Sequence, residues 1–244
     1  MKTVNDLLKE NPNFGISGCV LDLSNQGLTS LEGLENYEDV FETLDLSGNE
    51  ITKIENLDKF KNLLTLLLED NKIEKIENIS TLSNLTYLEL SNNKITRIEN
   101  LNHLSKLEDL YLIENQISKI ENIDKLCQLV SLNINFNQIT KLENLPKSDR
   151  LFEVLLEGNL IEKLENLEVL NVSEVALDLE NNLISKLENL DGISLQSLNL
   201  YDNKIKRIEN IEKFDVAELV LGGDKMEIEN PEEAEKYDFM IRIY

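Results

Sequence analysis

The chain has 244 residues, a formal net charge of −23 and a hydrophobic fraction of 41%. That apolar share allows a sizeable core and excludes wholesale disorder, while the charge would repel phosphates and argues against nucleic acid as a ligand. No apolar run reaches the length of a signal-peptide core or a membrane span, so the expectation is an intracellular chain, nuclear or cytoplasmic, with no membrane partner.

At the N-terminus, Thr3-Val4-Asn5-Asp6 reads as a capping box opening a short helix that stops before Pro12. Residues 1–19 are assigned to an N-terminal helical cap that should cover an edge strand. From residue 20 to 229 one sentence repeats about every 22 residues. The triplet Ile/Leu-Glu-Asn marks it at 54–56, 76–78, 98–100, 120–122, 142–144, 164–166, 187–189 and 208–210. Within each unit the phrase L-x-L-x-x-N supplies an anchor: Gln26, Asn49, Asn71, Asn93, Asn115, Asn137, Asn159, Asn182 and Asn203, with a degenerate tenth at Asp224. Apolar residues five and three before the anchor, such as Leu44 and Leu46, predict a short strand with one buried face. Others at two, five and eight after it, such as Ile51, Ile54 and Leu57, predict a corner and a return path. The unit buries its apolar face only against its neighbours, so the array is one continuous stack. The anchor amide is expected to satisfy backbone groups of the turn leaving the strand.

Two charged columns follow the anchors. Lys53, Lys75, Arg97, Lys119, Lys141, Lys163, Lys186 and Arg207 stand four residues on, and Glu55, Glu77, Glu99, Glu121, Glu143, Glu165, Glu188 and Glu209 six residues on. Their opposite signs predict a solvated ion-pair ladder. The outward strand face differs. Its positions lie six, four, two and one residues before the anchor, forty in all over ten units, and none is Lys or Arg. Thirteen are acidic, and exposed Leu67, Tyr87, Tyr111, Ile113, Phe136, Leu155 and Tyr201 interrupt them. Acids studded with aromatic anchors suit the docking of a basic protein surface. At the end of the chain, Asn230-Pro231-Glu232-Glu233 reads as an N-cap followed by proline at the first helical position, giving a C-terminal cap over 230–244.

Signs of catalysis are weak. The single histidine, His103, has no serine or cysteine paired with it in sequence, and Gly222-Gly223 is no phosphate loop. Glu69-Asp70 and Asp178 with Glu180 would attract a divalent cation only weakly. Cys19 and Cys127 are about five repeats apart, too far to bridge, and are expected as reduced packing thiols. No catalytic group, metal or cofactor is expected.

The stretches LDLSGNEITKIENL (44–57), LELSNNKITRIENL (88–101) and LNLYDNKIKRIENI (198–211) carry a family resemblance. They resemble leucine-rich repeats, and in particular those of the protein phosphatase 1 regulatory subunit 7 family, over residues 20–230. The fold so implied is an α/β solenoid: a curved right-handed stack with a parallel concave sheet and short helical or 3-10 turns on the convex side. The resemblance also implies a non-catalytic protein, monomeric alone, that holds a protein phosphatase 1 catalytic subunit on its concave face. The holding residues would be acids and aromatics four before the anchor, here Asp45, Leu67, Glu89, Tyr111 and Asp178; the outward face itself adds Tyr87, Phe136 and Tyr201 as candidate contacts. Leu67 stands where the family prefers an aromatic, and Asn199 and Val220 replace large aromatics. Similar repeats also occur in cytoskeletal and dynein-associated adaptors, which leaves a different basic partner as the alternative.

Overall fold

A computed structural model describes residues 2–37, 39–170, 174–223, 228–237 and 240–243. The anchor proposed at Asp224 lies outside the described residues. The described residues are organised around one 12-stranded sheet whose strands follow chain order. Strands β1 (Ile16–Ser17) and β2 (Val20–Asp22) form its antiparallel start. The parallel run continues with β3 (Thr43–Asp45), β4 (Thr65–Leu67), β5 (Tyr87–Glu89), β6 (Asp109–Tyr111), β7 (Ser131–Asn133), β8 (Glu153–Leu155) and β9 (Ala176–Asp178). It closes with β10 (Ser194–Asn199), β11 (Asp215–Leu221) and β12 (Met240–Ile243).

Most strands are three residues long because the chain turns sharply just before each anchor. That residue adopts a left-handed conformation, as at Gly48 (φ 66°), Asn92 (φ 53°) and Asn181 (φ 53°), where glycine and asparagine are least strained. The apolar columns then meet in a single core: Leu44, Leu46, Ile51, Ile54 and Leu57 are fully buried, and the same positions repeat this down the stack. Removing one such leucine side chain would cost roughly 2–5 kcal/mol.

Two ladders of asparagine hold the rungs together. In the first, each anchor bridges neighbours. Asn115 Oδ1 accepts the Ile95 N–H of the previous rung at 2.9 Å, while its Nδ2 donates to the carbonyls of Leu90 and Leu112 at 3.0 and 3.2 Å. The expected service to the anchor's own turn is therefore only half of its task. The second ladder uses the Asn of the Ile/Leu-Glu-Asn triplet, to which the sequence assigned no role. Asn78, Asn100 and Asn122 each donate to a carbonyl of the preceding rung, Ile54, Ile76 and Ile98, all at 2.7 Å. These asparagines are themselves left-handed, with φ 58° at Asn78 and 60° at Asn100. Asparagine is one of the few residues able to accept that backbone and still reach a carbonyl.

The ends depart from expectation. Helix α1 (Val4–Glu10) forms as predicted, with the Asp6 carboxylate accepting the Thr3 N–H at 3.0 Å and hydroxyl at 3.2 Å. The hydrogen-bonded Lys9 ammonium, aided by Thr3, holds the Asp6 carboxyl down at about 2. The helix does not cover the sheet edge, however. It joins the far side of the first rung through Asn5 N to Glu32 O (3.0 Å), and β1 occupies the edge. At the other end, Pro231–Lys236 is a 3-10 helix without a side-chain cap. The Asn230 side chain instead takes both backbone groups of Ile208, accepting N–H at 2.9 Å and donating to the carbonyl at 3.0 Å. The reason lies in Ile228-Glu229-Asn230, a further copy of the repeated triplet offset by a shorter unit. Asn230 belongs to the second ladder.

The charged columns also behave differently from the predicted ladder. Among the described residues, Arg97 to Glu121 (2.9 Å) is the one ion pair joining them. Arg207 reaches Glu229, again one rung on, at 3.2 Å. Both are arginines, whose planar fork spans a rung, whereas the exposed lysine ammoniums of the column stay solvated. Cys19 and Cys127 are free, as expected, but both are exposed rather than packed.

Candidate functional site: the open face of the sheet

Strand register brings the sequence-predicted column together. Asp45 pairs with Leu67, Leu67 with Glu89, Glu89 with Tyr111, and Tyr111 with Asn133 in successive strand pairs. The line continues through Leu155 to Asp178 and Asn199. Asp45, Leu67, Glu89 and Tyr111 are therefore adjacent, while Asp178 stands three rungs beyond Tyr111.

Each polar member of this column has a structural task that the sequence did not reveal. Its side chain accepts the backbone N–H two residues on: Asp45 from Ser47 (2.9 Å), Glu89 from Ser91 (2.8 Å), Asn133 from Asn135 (3.0 Å) and Asp178 from Glu180 (2.9 Å). At two of the column's apolar positions the preceding rung supplies the acceptor. Ser91 Oγ takes the Ile113 N–H beyond Tyr111 at 3.1 Å, and Asn135 Oδ1 takes the Glu157 N–H beyond Leu155 at 2.8 Å. The signal that could have found this is the Asx-turn spacing of an Asp or Asn followed two residues later by an unpaired N–H.

The aromatic side chains divide. Tyr87 lies two residues before Glu89 on β5, and its ring packs on that of Tyr111 with centroids 5.3 Å apart and planes 36° apart. Burial, then the neighbouring charges of Glu89, Asp109 and Glu69, push the Tyr87 phenol up to about 12. It stays a protonated donor at neutral pH. Phe136 is separate, at the turn before anchor Asn137, 43% exposed and left-handed at φ 53°. Its ring lies over Gly158, where a Cβ would clash with Phe136 Cδ1. Tyr201 lies further along, beside a shallow depression of about 330 Å³ shared with Glu180, Asn199 and Val220.

Electrostatically the face is uniform over much of its length. Burial raises the pKa of Glu89 and Asp178 against the lowering effect of their hydrogen bonds. Burial and neighbouring carboxylates raise Asp109 and Glu157. The absence of cations over ten units does not extend to the sheet's last row. Strand β12 places Arg242 opposite Val220 in the same column, where it ion-pairs with Glu218. Sequence reasoning missed it because β12 follows no recognisable anchor. His103 takes a scaffold position: it is half-buried, and its Nε2 must carry a proton to donate to the Ile79 carbonyl at 2.8 Å. Among the described residues no group of metal-binding side chains assembles, and no helix is long and apolar enough to cross a membrane.

Comparison with known proteins adds the family context. A family profile described as "Leucine-rich repeat" matches residues 2–123, and one described as "Leucine Rich repeats (2 copies)" matches residues 105–147. A curated relative, U2 small nuclear ribonucleoprotein A' of Arabidopsis thaliana, is 39% identical over 72 residues. That match spans 29% of this chain and 29% of the relative. Among solved structures, the leucine-rich repeat domain of APL1B superposes with a TM-score of 0.73 at 17% identity, covering all of this chain and 75% of that one. The TLR13–ssRNA13 complex gives 0.73 at 24% identity, over 85% of this chain and 33% of that one. Internalin C2 of Listeria monocytogenes gives 0.59 at 23%, over 93% and 80%. At these identities the structural likeness speaks for the fold alone.

Proposed function

Because the chain belongs to the leucine-rich repeat family, we propose that it is a non-catalytic scaffold whose acidic, tyrosine-bearing open face docks a folded protein with a basic surface. The observation that carries this reading is the unbroken register of Asp45, Leu67, Glu89 and Tyr111, with Tyr87 packed alongside and no cation among them. Carboxylates already raised by burial and mutual repulsion gain most from an incoming cation, and paired aromatic rings offer an apolar anchor beside them. By the resemblance of the repeats, the partner is a protein phosphatase 1 catalytic subunit, which the chain would target or regulate in the nucleus or cytoplasm.

The test is a binding titration with purified phosphatase catalytic subunit, using a quadruple variant Asp45→Asn, Glu89→Gln, Tyr111→Ala and Asp178→Asn. The amide replacements keep the acceptors for the backbone N–H groups, so a loss of binding reports the missing charges and ring and not a damaged turn. Affinity should fall at least about tenfold and weaken with rising salt in the wild type. Undiminished binding by the variant sinks the site; no binding by the wild type sinks the partner.

A second reading rests on the plant relative. Its name places that protein in a ribonucleoprotein particle, so the same face would meet a basic protein of such a particle. Capture of a ribonucleoprotein protein by the wild type, lost in the same variant, would favour it over the phosphatase.

A further inference from the structure

A second surface with the opposite chemistry lies where the chain leaves the sheet. The position one residue after the anchor holds Glu50, Lys72, Lys94, Gln116 and Gln138 in successive rungs, then Leu160 and Leu183, then Lys204. Backbone bonds from Leu183 N to Ile161 O (2.8 Å) and from Lys204 N to Ile184 O (2.7 Å) put these last three on consecutive rungs. Earlier members of the column are all polar, and Lys72 pairs with Glu50 at 3.0 Å. The two leucines interrupt that pattern, leaving apolar surface exposed to water: Leu160 is 44% exposed and Leu183 half-buried.

Leu183 forms one wall of a cavity of about 420 Å³ on this flank, together with Ser185. Lys163, Lys186 and Lys204 surround it, all exposed, and no ion pair engages them among the described residues. Glu162 and Glu188 also line it, so three ammoniums face two carboxylates and the local balance is +1 in a chain of −23. An apolar wall within a ring of solvated cations is incompatible with the basic partner that the open face attracts. It fits the reverse: an apolar side chain flanked by acids. A nucleic acid offers no such aliphatic side chain to set against the leucines.

We propose that this flank cavity docks an acidic peptide segment of a second protein, seating a large apolar side chain against Leu183, with Leu160 exposed on the rung before, while its carboxylates meet Lys163, Lys186 and Lys204. The chain thereby joins two partners of opposite charge through two separate surfaces. The proposal does not depend on the identity of the partner at the open face.

Fluorescence anisotropy tests it with a labelled Asp/Glu peptide bearing a central Leu, and with its Leu→Ser counterpart. The wild type should bind the Leu peptide more tightly than the Ser peptide. A triple variant K163Q/K186Q/K204Q should weaken binding about tenfold or more, and Leu183→Ser should remove the preference for Leu. The open-face variant Asp45→Asn, Glu89→Gln, Asp178→Asn should bind the peptide undiminished, which separates this surface from the other. All substituted residues of the cavity lie at the surface, and a thermal melt confirms that each variant is folded. Failure of the wild type to bind, retention of affinity in the triple variant, or equal binding of both peptides with ready displacement by poly(U) would overturn the proposal.

Discussion

Two columns of side chains run the length of the sheet and both accept backbone N–H groups, yet they tolerate very different residues. The buried anchors are asparagine at every rung from Asn49 to Asn203. Each makes bonds that reach two rungs, as Asn115 does to Ile95, Leu90 and Leu112, and no other side chain offers an acceptor and donors in that geometry. The largely half-buried column four residues earlier holds Asp, Glu, Asn, Leu, Tyr and Val. Its one bond can be delivered from the rung before, by Ser91 or Asn135, so its identity is released from structural duty. A position is free to carry recognition where a neighbour can perform its scaffolding task.

The contrast is broken most forcefully at the anchor. Asn115→Ala would orphan several buried backbone groups at about 1–3 kcal/mol each, for a total of roughly 3 kcal/mol or more. Asp45→Asn, which keeps its acceptor, should leave stability nearly unchanged. Denaturant titrations of the two variants measure the difference, and equal losses would refute the distinction between the columns.

A smaller effect is expected at the turn where Phe136 covers Gly158. Gly158→Ala puts a Cβ against the ring and at φ 68°, and should cost roughly 1–3 kcal/mol. In a Phe136→Ala background part of that cost should disappear, leaving only the backbone strain. Strictly additive losses in a double-mutant cycle would show that the ring contact is not responsible.

The smallest effect concerns charge on the open face. Burial raises the Asp178 carboxyl above the usual carboxylate range. A carboxyl whose folded pKa exceeds its unfolded value takes up a proton on folding, so its penalty is full at neutral pH and is relieved as pH falls through the folded pKa. Asp178→Asn should accordingly stabilise the protein at pH 7, by less than about 1 kcal/mol. The gap from the wild type should close on acidification. Paired denaturation series over falling pH check the sign, and a gap that widens instead would place the carboxylate in a favourable environment.

The repeat made much of this legible. Columns such as Leu44, Leu66 and Leu88 are buried in every rung, so their periodicity states the architecture directly, and the register of Asp45 through Tyr111 follows from it. What the sequence concealed depends on contacts between rungs. The Asn of each triplet reads as a marker until its partner carbonyl one rung back is seen. Asn230 reads as a cap because Pro231 follows it, although its bonds to Ile208 place it in the ladder. Lysine and glutamate columns of opposite sign suggest pairing, but solvated ammoniums on flexible stems have little to gain from a fixed geometry. Arg242 returns a cation to the open face through a strand with no anchor to announce it.

The second asparagine ladder has a consequence for the length of the molecule. Each of its bonds links a rung only to the one before, with Asn78, Asn100 and Asn122 all finding the same kind of carbonyl at the same 2.7 Å. Excising one whole interior unit would bring equivalent donors and acceptors face to face, and the seam would close with no bond of this ladder left open. Duplicating a unit would do the same. Such a chain can be shortened or extended in whole steps by recombination within its own gene, and the reach of its recognition surface becomes a quantity that evolution adjusts by counting.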